Sequence, residues 1–143
     1  MVRVSYDEID IKILELLKKN SRMSFVEIGK KLNLSEGAIR KRVKKLEKIG
    51  ILKRCTVDIN YKMLGIKLAI IGIDTDPDAI FEVANKIKKF GKNVEKVYIS
   101  FGDHNILVFF YYLKNDELED FLKFVGKMEG VMRICPAVLI EEV

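Results

Sequence analysis

The chain has 143 residues, of which 49% are hydrophobic and 33% are charged, and its net charge is +5. This balance excludes an intrinsically disordered chain, and the length suits one domain or two small ones. The charge is uneven, because residues 1–60 hold 15 basic and eight acidic side chains and carry +7, whereas residues 61–143 carry −2. The sequence therefore predicts two domains with different partners, 1–60 and 61–143.

Membrane and metal chemistry are both disfavoured by the sequence. No apolar run approaches the roughly 20 residues of a membrane-spanning helix, and the first ten residues lack the apolar centre of a secretory signal. We therefore expect a cytoplasmic protein with no membrane partner. Two cysteines and one histidine, far apart, do not match a zinc site. We expect no metal and no cofactor, and we expect Cys55 and Cys135 to be partly buried.

The N-terminal domain begins with two predicted helices. Apolar residues recur at helical spacing over residues 5–21. Ser24 and Glu27 form a capping-box pattern, which predicts a second helix over residues 24–32. With the helix that follows, these helices are predicted to share one core. Its predicted members are Ile9, Ile13, Leu16, Leu17, Ile28, Leu32, Ile39, Val43 and Leu46.

A third helix follows after a short link. Ser35 is its predicted N-cap, and Gly50 supplies its C-terminal stop. Two helices joined in this way are a helix-turn-helix pattern. The segment 51–59 is rich in β-prone residues and predicts a strand, which completes a winged type of helix-turn-helix domain.

The third helix and the residues after it are strongly basic. Between Arg40 and Arg54 there are eight basic residues and one acidic residue. A solvated helix usually interleaves the two signs, because opposite charges four positions apart stabilise it. A basic face on this helix of a helix-turn-helix favours the phosphate backbone of double-stranded DNA as its partner. A solvated basic face is the alternative.

The basic helix predicts two kinds of DNA contact. Residues at its N-terminal end are predicted to reach base edges. They are Ser35, Glu36, Gly37, Ala38 and Lys41. Basic residues further along are predicted to touch phosphates and to set position. They are Arg40, Arg42, Lys44, Lys45, Lys53 and Arg54. Arg42 precedes a core position, so bracing the second helix is the alternative role for Arg42.

The C-terminal domain is predicted to have the order β-α-β-β-α-β. This is the order of a ferredoxin-like α+β fold, in which both helices cover one face of the sheet. The predicted strands are 66–75, 94–101, 105–113 and 131–143, and the predicted helices are 76–91 and 115–130. The first of these helices is predicted to bury Ile80, Phe81, Ala84 and Ile87. Pro136 lacks a backbone donor, which places the last strand at a sheet edge or at a bulge.

The third strand of this domain is apolar on both sides. Leu107 and Phe109 alternate with Val108 and Phe110. Helices on one face would leave the other as a large apolar patch, which soluble monomers rarely expose. We therefore expect a second copy to cover this face, and we interpret the domain as a dimerisation module.

Three segments match patterns of one protein family. YDEIDIKILELLKKNSR, from Tyr6 to Arg22, is similar to LDxxDxxILxxLxxxxR, and LSEGAIRKRVKKLEKIGIL, from Leu34 to Leu52, is similar to LSxxxVxxRVxxLExxGVI. The pair Leu64-Gly65 follows at the matching place. Over nearly its whole length, the chain thus resembles the Lrp/AsnC (feast/famine) family of transcriptional regulators. The resemblance implies a helix-turn-helix domain followed by a ligand-responsive sensor domain.

The resemblance also implies an assembly and an effector. It implies a homodimer formed through the sensor sheets, further assembly to a tetramer or octamer, and paired helix-turn-helix domains on operator DNA. The implied effector is an amino acid, held by the loop between the second and third sensor strands, where the family pattern is GxxD. The corresponding residues are Gly102, Asp103, His104 and Asn105. Asn105 replaces the usual acid, and Pro136 stands where the family's last strand often has a threonine.

Two interpretations of this loop stay open. It is a hairpin turn alone, with glycine and asparagine supplying its backbone angles. Alternatively, its N–H groups hold the carboxylate of a ligand. Asn105 brings no charge to the ligand's ammonium group, so Asp103 is the candidate for that contact. His104 is expected to be solvated.

An enzyme is not predicted, because the sequence has no paired nucleophile and base and no glycine-rich phosphate loop. The principal prediction is a sequence-specific DNA-binding regulator, modulated by an amino acid or a related small molecule. The alternative is an amino-acid-binding regulatory protein that does not act through DNA.

Overall fold

The computed structural model describes residues 5–143, and the chain divides into two compact units, Met1–Ile59 and Asn60–Val143. Residues 1–4, part of the stretch considered above for a secretory signal, lie outside the described residues. The predicted α+β class is confirmed, because the first unit is helical and the second holds a four-stranded antiparallel sheet with two helices. None of the helices described is long and apolar enough to cross a membrane.

The N-terminal unit holds the three predicted helices. They are α1 (Glu8–Lys19), α2 (Phe25–Leu32) and α3 (Glu36–Lys48). The predicted capping box of α2 is confirmed, because the Ser24 hydroxyl accepts the Glu27 N–H at 3.1 Å and the Glu27 carboxylate accepts the Ser24 N–H at 2.8 Å. The predicted cap of α3 is also confirmed, because the Ser35 hydroxyl accepts the Ala38 N–H at 3.2 Å. Local sequence therefore defines where each helix starts.

The predicted apolar stripes meet in one core. Leu46 is completely buried. The other buried members form one cluster of five side chains, which are Ile13, Leu17, Ile28, Ile39 and Val43. Ile9, Leu16 and Leu32 are partly buried against them, so the predicted core of this unit is confirmed. Leu52 also packs there, which anchors the chain after α3 to the helices.

The turn between α2 and α3 depends on a close backbone approach. α2 ends at Asn33, whose φ of 55° lies in the left-handed region. Leu34 donates its N–H to the Gly29 carbonyl oxygen at 2.9 Å. A Cβ atom on Gly29 would overlap the Leu34 carbonyl oxygen. Only glycine at this position therefore lets α3 begin so close to α2.

The predicted strand over residues 51–59 is wrong. This segment has no strand in the structure. β-prone residues form a strand only when another strand satisfies their backbone donors and acceptors. Among the described residues of the N-terminal unit there is no second strand to pair with them. The predicted partial burial of Cys55, which lies in this segment, is also wrong, because Cys55 is exposed.

The C-terminal unit has the predicted β-α-β-β-α-β order. Its strands and α-helices are β1 (Lys67–Thr75), α4 (Ile80–Lys88), β2 (Val94–Ile99), β3 (Ile106–Tyr112), α5 (Asn115–Gly126) and β4 (Val131–Val138), and short 3-10 helices precede β1 at Tyr61–Leu64 and α4 at Pro77–Ala79. The strand order across the sheet is β2-β3-β1-β4. The edge position predicted from Pro136 is confirmed, although β4 ends at Val138 rather than continuing through residues 139–143.

The two faces of the sheet differ. On one face, side chains of β1 and β3 pack with α4 and α5 around Phe110 and Phe121, both fully buried. Ala84 and Ile87 join this core as predicted, but Phe81 is 71% exposed and Val83 takes the buried place instead.

We call the other side the open sheet face. It carries Leu68 and Ile70 of β1, Tyr98 of β2, and Leu107, Phe109 and Tyr111 of β3. Within this unit neither helix packs on it, because both contribute to the core on the opposite side.

Candidate nucleic-acid interface

One stripe of α3 faces away from the core. Gly37, Lys41, Lys44 and Lys48 recur at helical spacing, and all four are exposed. We call these four residues the outer stripe. Within residues 5–143, none of its three lysines has an acidic side chain within ion-pair distance. A Cβ atom on Gly37 would meet open space, so the start of the stripe offers bare backbone. The stripe therefore presents positive charge that its surroundings leave unneutralised.

The predicted base-edge residues at the helix start are not equivalent. Ser35 uses its hydroxyl as the cap of α3. Glu36 forms an ion pair with Arg40, four positions later, and both side chains are about half exposed. The Arg40 guanidinium also lies 5.2 Å from the centre of the Phe25 ring, in a cation–π arrangement. Arg40 therefore contacts both α2, through Phe25, and its own helix, through Glu36. Ala38 is half-buried beside them.

Two predicted phosphate contacts, Arg42 and Lys45, point towards α1 instead. Arg42 donates to the carboxylates of Asp7 at 2.7 Å and of Asp10 at 2.8 Å. Lys45 donates to the other oxygen of Asp10 at 2.8 Å. Asp10 itself is completely buried. The structure thus supports the bracing alternative for Arg42, but the helix it braces is α1 rather than α2.

The charge state of Asp10 follows from its partners. Burial alone raises the pKa of this carboxyl group, because a dry environment disfavours charge. The hydrogen bonds from Lys45, Arg42 and the Asp7 N–H outweigh burial and place the pKa of Asp10 below its ordinary value. Hydrogen bonds to Asp7 and Asp10 raise the pKa of Arg42. At neutral pH Asp10 and Arg42 are therefore an ionised pair inside the helix-turn-helix.

The last two predicted phosphate contacts lie beyond α3. Lys53 and Arg54 are exposed on the extended segment that follows the helix. They continue the basic surface along the chain but are not fixed by helical geometry.

Sequence reasoning missed Asp10 and Gly29. The available signal for Asp10 was its place on the apolar stripe of α1, three positions before Ile13, where a charge needs a partner. For Gly29 the signal was a glycine inside a predicted helix, which indicates close packing.

The predicted effector loop is tied to the sheet. The Ser100 N–H donates to the Asn105 carbonyl oxygen at 2.8 Å, and the Ser100 hydroxyl donates to the His104 carbonyl oxygen at 2.6 Å. Gly102 has a φ of 139°, which side chains rarely adopt. Asp103 is exposed at the tip.

His104 is held on the open sheet face rather than solvated. Its Nδ1 lies 2.9 Å from one carboxylate oxygen of Asp74, and Arg133 donates to the other oxygen at 2.5 Å. The hydrogen bonds from His104 and Arg133 lower the pKa of Asp74. A Cβ atom on Gly72 would overlap the His104 ring, so this glycine makes room for it. The expectation of a solvated His104 is wrong.

Asn105 and Pro136 lie apart from a loop-tip site. The Asn105 side-chain oxygen accepts the Thr75 N–H at 2.6 Å and so joins the loop to the end of β1. Pro136 pairs with Ile71, whose side chain is in the helix-covered core, so Pro136 belongs to the opposite face from His104. Within the described residues, no three His, Cys, Asp or Glu side chains are grouped to hold a metal ion.

Comparison with known proteins agrees with the class that this fold and basic helix define, a DNA-binding transcriptional regulator. A family model described as winged helix-turn-helix DNA-binding matches residues 6–53. The HTH-type transcriptional regulator LrpA of Pyrococcus horikoshii is 46% identical over 138 residues, covering 95% of this chain and 97% of that protein. The chain belongs to the Lrp/AsnC family of transcriptional regulators.

Solved structures share the whole fold. LrpC of B. subtilis superposes with a TM-score of 0.79 at 27% identity and covers 97% of both chains. A transcriptional regulator of Neisseria meningitidis, solved in complex with L-Met, gives a TM-score of 0.82 at 22% identity and covers 97% of this chain and 92% of its own. The P. horikoshii and N. meningitidis proteins are both named as transcriptional regulators.

Proposed function

We propose that this regulator binds operator DNA as a cytoplasmic homodimer, with one α3 helix in the major groove of each half-site. The observation that carries the proposal is the outer stripe, whose lysines have no acidic partner within the described residues. Positive charge left unneutralised by the protein is available to phosphate, and displaced counterions then drive binding.

We assign the contacts by position along the helix. The start of α3 is proposed to meet base edges. Its residues there are Ser35, Glu36, Gly37, Ala38 and Lys41. The exposed basic residues further along are proposed to meet phosphates. They are Arg40, Lys44, Lys53 and Arg54.

The test is a selection of binding sites from random double-stranded DNA, followed by fluorescence anisotropy at several salt concentrations. We expect one enriched site, bound at least about 10³-fold more tightly than unrelated DNA, with affinity that falls steeply as salt rises. Failure to bind any duplex at low salt would refute DNA binding. Binding without an enriched site would refute sequence specificity.

The homodimer is proposed to form through the open sheet face. The support is its apolar surface, centred on Leu107, Phe109 and Ile70, which neither α4 nor α5 covers. Dimers are proposed to assemble further to a tetramer or octamer, as the family resemblance implies.

An amino-acid effector is proposed at the loop from Gly102 to Asn105. The support is the exposed turn, whose N–H groups suit a carboxylate, and Asp103, whose exposed carboxylate suits an ammonium group. Within this loop, His104 and Asn105 are proposed to hold the shape through their contacts with Asp74 and Thr75. Pro136 is not part of the proposed effector site, because it lies on the helix-covered face of the sheet.

Thermal shifts with each of the 20 amino acids test the effector proposal. A true effector at about 100 times its Kd is expected to stabilise the fold by about 2.7 kcal/mol. Asp103→Asn is expected to abolish that shift, and Asp78→Asn, another exposed acid of the same unit, is expected to leave it intact. An unchanged shift in the Asp103 variant would exclude this site, and no shift with any amino acid would exclude this class of effector.

A further inference from the structure

Asp10 is an unusual residue for the inside of a small helical domain. It is completely buried, on the stripe of α1 that also holds Ile13 and Leu17. Charged side chains are almost never fully buried unless they are paired. Asp10 meets this condition with three donors, which are the Asp7 N–H at 3.1 Å, Arg42 at 2.8 Å and Lys45 at 2.8 Å. Two of these three donors belong to α3.

The network joins the start of α1 to the middle of α3. Asp7 adds a second carboxylate for Arg42 at 2.7 Å and caps α1 by accepting the Asp10 N–H at 2.9 Å. Arg42 and Lys45 are three positions apart and so project from the same side of α3. The ion pairs therefore oppose both rotation of α3 about its own axis and sliding of α3 along α1.

The same contacts divide the basic residues of α3 into two sets. Arg42 and Lys45 are half-buried and form ion pairs with the carboxylates of Asp7 and Asp10. Lys41 and Lys44, the residues just before each of them, lie on the outer stripe. A basic side chain that is paired with a buried carboxylate would have to break that ion pair to reach a phosphate. Breaking the pair would leave an uncompensated charge inside the domain.

We propose that Asp10 is a positioning residue for DNA binding, which uses Arg42 and Lys45 to set the orientation of α3 while the outer stripe meets the DNA. This inference rests on the proposed DNA binding. It reassigns Arg42 and Lys45, whose sequence-based role was phosphate contact. Its consequence is that removing the charge of Arg42 or Lys45 does not change which phosphates the protein neutralises.

Salt titrations of DNA binding distinguish the two roles. The slope of log K against log salt changes by about 0.9 for each phosphate that the protein no longer neutralises. We expect Lys44→Met to reduce the slope by about that amount per protomer. Arg42→Met and Lys45→Met are expected to leave the slope as in the wild type while lowering affinity by a constant factor at every salt concentration. Lys86→Met, which breaks the 2.6 Å pair with Glu82 on α4, is the matched control for removal of a paired cation and should change neither quantity.

Asp10→Asn tests the positioning role directly. Measured where circular dichroism shows a folded protein, it is expected to lower the ratio of specific to non-specific affinity at least tenfold, because α3 loses its fixed orientation. A merely stabilising contact would leave that ratio unchanged in the folded protein, so an unchanged ratio would overturn the proposal.

The Arg42 and Lys45 titrations decide the matter even if Asp10→Asn does not fold. If either variant reduced the slope of log K against log salt as much as Lys44→Met does, Arg42 or Lys45 would be in contact with phosphate, and the proposal would be overturned. Wild-type protein with no salt-dependent DNA binding would instead refute the proposed function on which the inference rests.

Discussion

At the residue scale, the carboxylates of the N-terminal unit couple its stability to pH. The pKa of Asp10 lies below its ordinary value, and those of Asp7 and Glu27 are lowered by their hydrogen bonds. A carboxylate with a lowered pKa stabilises the fold above the pKa of the unfolded chain, about 3.9 for aspartate, and loses this effect as pH falls through the folded value. Acid should therefore destabilise this unit progressively below about pH 4.

The pH dependence of thermal unfolding tests this. Asp10→Asn leaves Arg42 and Lys45 without their buried partner, and we expect it to lower the stability at pH 7 by about 2 kcal/mol. As pH falls below about 4, its Tm should fall less steeply than that of the wild type. Asp58→Asn, an exposed aspartate of the same unit, serves as the control. Parallel pH profiles for the Asp10 variant and the wild type would contradict the assigned role of Asp10.

Two glycines of the helix-turn-helix predict opposite outcomes. At Gly29 an added methyl group would overlap the Leu34 carbonyl oxygen, so Gly29→Ala should destabilise the protein by about 1–3 kcal/mol. At Gly37 it would meet open space within a helix, so Gly37→Ala should stabilise by up to about 1 kcal/mol. Urea denaturation of both variants makes the comparison, and a destabilised Gly37→Ala would show that the first turn of α3 is more crowded than it appears.

At the element scale, α3 separates packing from recognition around its circumference. Ile39, Val43 and Leu46 face the core, and the outer stripe lies opposite. Because the N-terminal end of such a helix approaches base edges, Lys41 and Lys44 should contribute differently even though both are exposed lysines on one stripe.

Alanine variants of these two lysines test that difference. Lys41→Ala is expected to reduce the ratio of affinities for the selected site and for unrelated DNA. Lys44→Ala is expected to weaken binding to both sequences by a similar factor, because a phosphate contact carries no sequence information. Anisotropy titrations of both variants on both duplexes provide the measurement. An unaltered site preference in Lys41→Ala would contradict its assignment to base edges.

At the scale of the whole molecule, the open sheet face is an apolar surface that a second copy of the chain could cover. Phe109 lies on it between the strands that carry Tyr98 and Ile70, and its ring centre is 5.8 Å from that of Tyr98. An apolar surface of this kind gains free energy when a second copy removes it from water.

A pair of phenylalanine variants tests the proposed dimer. Phe109→Glu places a charge on the open sheet face and is expected to give monomers in sedimentation equilibrium, with weaker binding to a two-half-site operator. Phe81→Glu changes a phenylalanine that is 71% exposed on α4 and should keep the wild-type mass. Dimers in the Phe109 variant, with circular dichroism matching the wild type, would exclude this face as the interface.

Local features of this protein were predictable from its sequence. The caps at Ser24 and Ser35 depend on residues three positions apart, and the buried stripe of α3 depends on helical spacing, so a short window contains all the information. The alternation of β3 likewise predicted a sheet with apolar residues on both faces. The family motifs extended these local patterns to the order of elements in the whole chain.

Tertiary structure decided the pairings. Arg42 lies 32 residues from Asp10 along the chain, and His104 lies 30 residues from Asp74. Sequence periodicity does not reveal such distant partners. For this reason, the basic residues of α3 were predicted to be free to bind DNA, although two of them, Arg42 and Lys45, form ion pairs with carboxylates at the start of α1. The strand predicted over residues 51–59 was wrong for a related reason. Their β propensity is a local property, whereas a strand forms only when a neighbouring strand pairs with it. Composition and spacing determine burial and helix ends, but the partner of each polar group depends on which distant segments the fold brings together.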